Sequence, residues 1–481
     1  MSGPGGTVPP GVPDRAGAVP PAWRSVLPYL DPPLPSDLTP AAAGAGISVQ
    51  LPLELVRQSI LAREWWPIPE PVAAQYARYR PSPLWRARRF EAEIGARVPV
   101  YVKYEGGNLS GSHKLNTALA QAYYYQRAGV RELVTGTGAG QWGTALAAAA
   151  AAFGLDCTVF MVDGSLRDKP YRGSLMRLLG AGVHASPSGL TDVGRGSAGR
   201  AGNSLALAIG EAVEYARAGQ SRAFCIGSGE TYSLLHQSVI GLEAIGQLRM
   251  TGGEVDTVIG CVGAGSNFGG IALPFLAGHA AGEIGEMPEL VAAESAATPK
   301  LTRGVYAYDV TDATGTGPLE AMYTIGAGFP IPRSHAAGLR FHGAAKLVSA
   351  LRHRGQVAAV AVGQAEALEA GRRFALTELV LPAPEAGHAL AAAARVATGS
   401  GPASASGHPD GRPSNRGVLV CVSGHGLLDL TAYDDLLAGV VTDTPADEQA
   451  LRMATAQLPL VTTDGLGVSR GDFSRPGTAD G

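Results

Sequence analysis

The chain has 481 residues, 46% of them hydrophobic, with 38 Lys and Arg against 41 Asp and Glu and a formal net charge of -3. Nearly balanced charge excludes the basic surface that nucleic acid demands, and the length suffices for two lobes around one cleft. Partners are therefore expected to be small molecules or copies of the chain itself, with no nucleic acid and no membrane.

Residues 1–46, which include Pro9-Pro10, Pro20-Pro21 and Pro32-Pro33, read as a Pro/Gly-rich leader, mostly irregular, ahead of a catalytic region over 47–440. The leader is too polar for a secretory core, and the alanine run at 147–152 is too short to cross a bilayer. Cys157, Cys225, Cys261 and Cys421 are far apart in apolar stretches, which suits core residues in a reducing compartment and gives no metal spacing. A cytoplasmic location is expected.

Residues 98–103 read as a strand and 117–127 as a helix, so Lys114 in Gly111-Ser112-His113-Lys114-Leu115-Asn116 stands at a helix start. The positive helix end weakens the lysine's hold on its proton and favours the neutral amine that attacks an aldehyde. On spacing alone, a surface lysine in a polar turn fits as well.

Strand then helix recurs at 132–135 and 141–153, and again at 157–162 and 171–179. This alternation predicts an α/β fold of two doubly wound parallel-sheet lobes, the smaller, at about 130–235, inserted in the larger. The cofactor is expected in the cleft between them, at the carboxyl ends of strands.

A strand over 256–261 runs into Val262-Gly263-Ala264-Gly265-Ser266-Asn267 and a helix over 268–275. Glycines that let the backbone approach an anion, followed by free helix amides, predict a phosphate cradle. With Gly269 the segment is also close to a dinucleotide fingerprint, and Glu294 stands where a ribose-binding acid could lie. A nicotinamide-dependent dehydrogenase is thus a rival reading, weakened by the βα units that precede this one. Residues 398–416 read as a loop insertion before a last core strand at 418–422, and 462–481 as a disordered tail.

The segments SGSHKLN, TGAGQWGTALA, KPYRGSLMRLLGA, LLHQSVIGLEA, CVGAGSN, KLTRGVYAYD, LRFHG, LPAPEAGHAL and VSGHGLLDL follow one another in this order. Together they resemble tryptophan synthase β chains, in particular the longer second type, from about residue 51 to about residue 433. The resemblance implies a pyridoxal 5′-phosphate enzyme of fold type II. In such an enzyme an amino acid such as serine loses its β-substituent, and the resulting aminoacrylate accepts a nucleophile.

By motif match, Lys114 would be the Schiff-base lysine and proton shuttle, His113 its neighbour at the phosphate, and Asn116 a further cofactor contact. Gly263, Ala264, Gly265, Ser266 and Asn267 would form the phosphate loop. Ser423 would face the pyridine nitrogen, and a hydroxyl there leaves that nitrogen unprotonated, which favours loss of the β-substituent over transamination. Thr137, Gly138, Ala139, Gly140 and Gln141 would hold the substrate carboxylate. Glu385 would lie close to the cofactor ring, a helix-start carboxylate being its plainer alternative. His236, His388 and His425 are expected to pack or hydrogen-bond, not to catalyse. The resemblance further implies a homodimer and allows a monovalent cation near 306–309, while an α-subunit partner stays open.

Departures from the family pattern bear on the reaction. Gly136 stands where the family has its catalytic glutamate, a positioned acid or base worth about 10²–10⁴-fold in rate. Leu115 and Leu379 replace other family residues and are expected to reshape the pocket wall. The stretch Gly229-Glu230-Thr231-Tyr232-Ser233 replaces a more apolar one, which makes Glu230 the candidate for a relocated catalytic carboxylate. The leading reading is β-replacement with a thiol, amine or non-indole carbon nucleophile. A sulfhydrylase-like enzyme using an activated serine and a weakly active cofactor-binding scaffold are the alternatives.

Overall fold

In the computed structural model, residues 18–38, 51–197, 205–311, 318–400 and 416–462 are described. Strands β1 (Ala22–Arg24) and β2 (Trp65–Pro67) pair antiparallel. Part of the leader is thus ordered: Trp23 is fully buried against the ring of His236, and Arg24 bonds to Glu64 and Glu283. A three-residue strand with one large apolar side chain gives almost no period to read, which is why composition alone suggested irregular chain.

β3 (Leu84–Arg86) and β4 (Val100–Tyr104) begin the larger sheet. β5 (Glu132–Thr137), β6 (Asp156–Val162), β7 (Gly182–Ser186) and β8 (Arg222–Phe224) form a separate parallel sheet in the order β7-β6-β5-β8. β9 (Val255–Cys261) and β10 (Glu289–Ser295) return to the larger sheet. β11 (Val305–Val310) and β12 (Leu319–Thr324) make an antiparallel ribbon. β13 (Ala358–Val362) and β14 (Gly417–Val422) complete the larger sheet, in the order β13-β10-β9-β14-β4-β3. All its pairings are parallel except β3 with β4. The architecture is therefore α/β, with helices packed on two sheets whose strands are buried on both faces.

The connecting helices explain the spacing. Gln141–Phe153 buries Ala145, Ala147, Ala149 and Ala150, and a Cβ on Gly143 would lie 2.8 Å from Met176 Sδ and Val159 Cγ1 and 3.1 Å from Thr137 Cγ2, so this helix sits close on β5 and β6. At the start of the larger sheet, Arg80, Lys103, Glu105 and Glu243 form a fully buried ionic cluster, with Arg80 Nε at 2.8 Å from Glu243 and Lys103 Nζ at 2.7 Å from the same carboxylate. Desolvation alone would penalise each charge, so the set holds only because every member is paired. The four cysteines are buried and free. Among the described residues no helix is long and apolar enough to cross a membrane. Most of the expected insertion, residues 401–415, and the tail from 463 lie outside the described residues.

Candidate active site

The helix Lys114–Arg127 begins where the chain leaves β4, and the helix Ser266–Ala280 begins directly after β9. Both starts open into one cavity of about 540 Å³, lined by His113, Lys114, Gln141, Arg172, Cys261, residues 263–267, Glu385 and Ser423 among others. Gly265 has φ +123°, and a Cβ on Gly263 would lie 2.3 Å from the Gly338 carbonyl oxygen. Only glycines leave this loop open enough for its amides to surround an anion.

Lys114 lies in the same cavity, and burial lowers its pKa from the ordinary lysine value, opposed by the carboxylate of Glu385. A share of neutral amine is therefore available for an aldehyde. His113 accepts no charge: burial first, then Lys114, pushes its pKa down to about 3. Its Nδ1 faces the Ser423 carbonyl oxygen at 3.2 Å, so Nδ1 carries the proton and Nε2 accepts from Ser266 Oγ at 3.3 Å. The histidine thus ties the lysine turn to both the anion loop and β14. Ser423 Oγ, which accepts from Cys261 Sγ at 3.5 Å, also faces the cavity.

Glu385, near the start of the helix Pro384–Thr398, accepts at Oε1 from Gln141 Nε2 at 2.9 Å and from the Gly338 amide at 2.8 Å. Its Oε2 is buried with no hydrogen-bond partner, an acceptor left free in the cavity wall. The Lys114 amine, the anion loop, the Ser423 hydroxyl and the free oxygen of Glu385 all fit pyridoxal phosphate and leave the nicotinamide reading without its acid. Glu294 accepts instead from the amides of Leu301 and Thr302 and from the Thr302 hydroxyl, so it closes a short turn of helix.

A second cavity, of about 910 Å³, shares Lys114, Gln141, Ser228, Ala264 and Gly338 with the first. Thr137, Gly138 and Ala139 line it at the start of the helix Gln141–Phe153; Gly140 lines neither cavity and supplies the left-handed turn at φ +94°. Glu230 lines it too, beside Glu320 of β12.

Gly136 also lines this cavity, and a Cβ there would lie 2.6 Å from the backbone carbonyl of Ala208 and from Ile209 N. The backbone of the helix Leu205–Arg217 occupies the space a glutamate would need. A side chain at this position is thus excluded by backbone.

Other residues fall elsewhere. Asn116 is not brought to the cavity: Oδ1 accepts from Arg80 and Tyr79, and Nδ2 donates to Glu105 and Gln237, which uses the whole amide within the ionic cluster. Leu115 is packed in the core, and Leu379 is 81% exposed at the end of the helix Gln364–Glu378. Neither shapes the pocket wall, contrary to expectation. Leu379 adopts φ 58°, so it keeps the left-handed helix end that a glycine normally provides. His236 and His388 are buried away from the cavities, whereas His425 lines the first. Arg172 was not anticipated; it lines the first cavity while bonded at 2.7 Å to Asp429, which Lys169 also binds. Arg340 and Phe341 were not anticipated either and line the second. All five lie in, or next to, recognisable motifs, but only the fold brings KPYRG against GLLDL.

A family model described as "Pyridoxal-phosphate dependent enzyme" matches residues 77–405. The chain is 49% identical over 389 residues to a tryptophan synthase beta chain of Pyrobaculum islandicum, covering 80% of this chain and 89% of that one. It is 44% identical over 422 residues to tryptophan synthase beta chain 2 of Thermotoga maritima, covering 86% and 97%. Among solved structures, the processed form of threonine deaminase isoform 2 from Solanum lycopersicum is similar with a TM-score of 0.56 at 15% identity, over 84% of this chain and 96% of that one. A fungal L-serine ammonia-lyase from Rhizomucor miehei gives 0.54 at 18% identity, over 75% and 98%. The two structural likenesses carry the fold alone.

Proposed function

Because the chain belongs to the pyridoxal-phosphate dependent enzymes, in the tryptophan synthase beta chain family, we propose that it performs β-replacement on L-serine or a close relative, with a nucleophile other than indole. The observation that carries this reading is the single cavity in which Lys114, the anion loop 263–267, Ser423 and the free oxygen of Glu385 converge. When bound, pyridoxal phosphate supplies an electrophilic aldehyde and an electron sink.

The protein's own groups do the rest. The amides after β9 take the phosphate, and Ser423 offers a hydroxyl where a carboxylate would protonate the ring. Lys114 holds the aldehyde and moves a proton at the substrate α-carbon. The loop 137–141, at a helix start, takes the substrate carboxylate. Loss of the glutamate at position 136 removes the acceptor that the family places beside its nucleophile, and the second cavity offers Glu230 in its stead.

Absorbance of the cofactor-loaded protein tests this. Addition of L-serine, O-phosphoserine, O-acetylserine or L-threonine, each alone, is expected to change the cofactor spectrum with serine, and Lys114→Ala is expected to abolish the borohydride-sensitive band. A response confined to the activated serines would move the reaction to a sulfhydrylase-like one, in which the leaving group needs no proton. An unchanged spectrum with all four would overturn β-replacement.

A further inference from the structure

Two carboxylates line the second cavity, Glu230 from the turn before the helix Thr231–Gln237 and Glu320 from β12. Glu230 stands at the N-cap position yet does not cap the helix through its side chain. An N-terminal acid normally spends its oxygens on the free amides of that first turn. Neither Glu230 nor Glu320 accepts a side-chain hydrogen bond from a described residue. Both face a cavity that is otherwise largely apolar, walled by Trp142, Leu205, Ile209, Ile226, Met322 and Phe341.

Three cations stand around them. Lys346, on the helix Lys346–His353, is the cation nearest in effect, and it is ion-paired to Asp37 of the leader. Tyr232 adds a neutral phenol, Thr311 a hydroxyl, and Lys114 lies at the shared wall with the first cavity. Arg340 lines the cavity as well. Lys346 is held by Asp37 and Arg340 donates to the Ile331 carbonyl, so among the described residues no cation is bonded to Glu230 or Glu320.

Resting on the β-replacement reading, we propose that Glu230 and Glu320 are a specificity pair that selects an amine-bearing nucleophile with a flat apolar body, its ammonium seated between the two carboxylates. Two carboxyls facing the same apolar wall disfavour each other's ionised form. Burial first, then Glu230 and Asp37, pushes Glu320 up to about 8, and burial raises Glu230 as well. An ammonium between them favours the ionised forms that burial disfavours, so its binding releases a proton. Gly136 completes the argument: the backbone of Ala208 and Ile209 leaves no room for a side chain there, so an acid acting on the nucleophile comes from this wall.

Calorimetry on the cofactor-loaded protein, without any serine donor, tests the pair directly with tryptamine and indole as probes. Tryptamine is expected to bind more tightly than indole and to lose at least 10-fold in affinity in both Glu230→Gln and Glu320→Gln, with indole changed less than 3-fold. In the wild-type protein, titrations in phosphate and in Tris are expected to differ in apparent enthalpy as the proton is released, a readout that needs no variant. Unaltered tryptamine affinity in both variants, or equal enthalpies in the two buffers, would overturn the proposal. Because no serine donor is present, these outcomes stand apart from the spectral test of β-replacement.

Discussion

Gln141 and Glu385 meet across the cleft: the amide of a helix that follows β5 donates to the carboxylate of a helix packed on the larger sheet, at 2.9 Å. The bond fixes one oxygen of Glu385 and leaves the other free beside Lys114. Glu385→Gln keeps the shape and an acceptor for Gln141, but it removes the charge that raises the Lys114 pKa. The variant is expected to fold, to lose about 10²-fold in turnover, and to attach cofactor with a pH midpoint lower than wild type. Cofactor absorbance against pH measures this, and an unmoved midpoint would show that the two groups are not coupled.

Gly136 yields a second expectation. Even one methyl group there meets the backbone of Ala208 and Ile209, which cannot swing aside as a side chain can. Gly136→Ala is expected to cost at least the ~1–3 kcal/mol typical of overpacking, and Gly136→Glu more, with no gain in tryptophan formation. Denaturant titration beside an indole-plus-serine assay decides it; a stable Glu variant that makes tryptophan would contradict the geometry.

Leu379 should be improved by glycine. A left-handed conformation costs a leucine about 1–2 kcal/mol, whereas glycine costs about 0.5–1 kcal/mol in unfolded-state entropy. The side chain is 81% exposed, so little burial is forfeited. Leu379→Gly is expected to raise stability by about 0.5–1 kcal/mol, seen as a higher denaturation midpoint with the slope unchanged. A lower midpoint would mean that Leu379 packs on something in solution.

His236 sets an acid limit. Burial holds its pKa down to about 3, so the folded protein keeps it neutral while the unfolded chain protonates it below about pH 6.5. The unfolded state then binds the extra proton, and stability falls as pH drops from 6.5 towards 3, by up to about 1.4 kcal/mol per pH unit. Carboxylates held low, such as Glu105 at about 2, act only below their usual range, whereas Glu320, pushed up to about 8, acts in the window from 6.5 to 5 with the opposite sign, so the histidine's share is read as the difference from a variant. Stability measured across that window should decline less steeply in His236→Gln, and equal slopes would refute the assignment.

Much of the site was legible because its chemistry is local. The anion loop and the lysine turn each combine a strand, a glycine-bearing turn and a helix start within a dozen residues, and such units keep their geometry wherever the fold places them. Gln141 and Glu385 were legible as motif positions, although their contact was not. Asn116 shows the limit: a polar residue two places after the lysine lies on another side of the helix, and the buried charges of Arg80 and Glu105 claim it. Leu379 shows another, since a backbone angle leaves no mark on the letters around it. Glu320 passed unnoticed because it alternates within an antiparallel ribbon, where a single acid reads as a solvent-facing position.

The match to the family model ends at residue 405, yet β14 (Gly417–Val422) lies between β9 and β4 in the larger sheet. Ser423, which anchors His113, follows it immediately. The matched family model and the foldable unit therefore have different borders. A fragment cut to 77–405 would carry every recognisable lysine-turn and phosphate-loop letter and still lack the strand that joins the two halves of its sheet; it would be a legible sequence without a stable body.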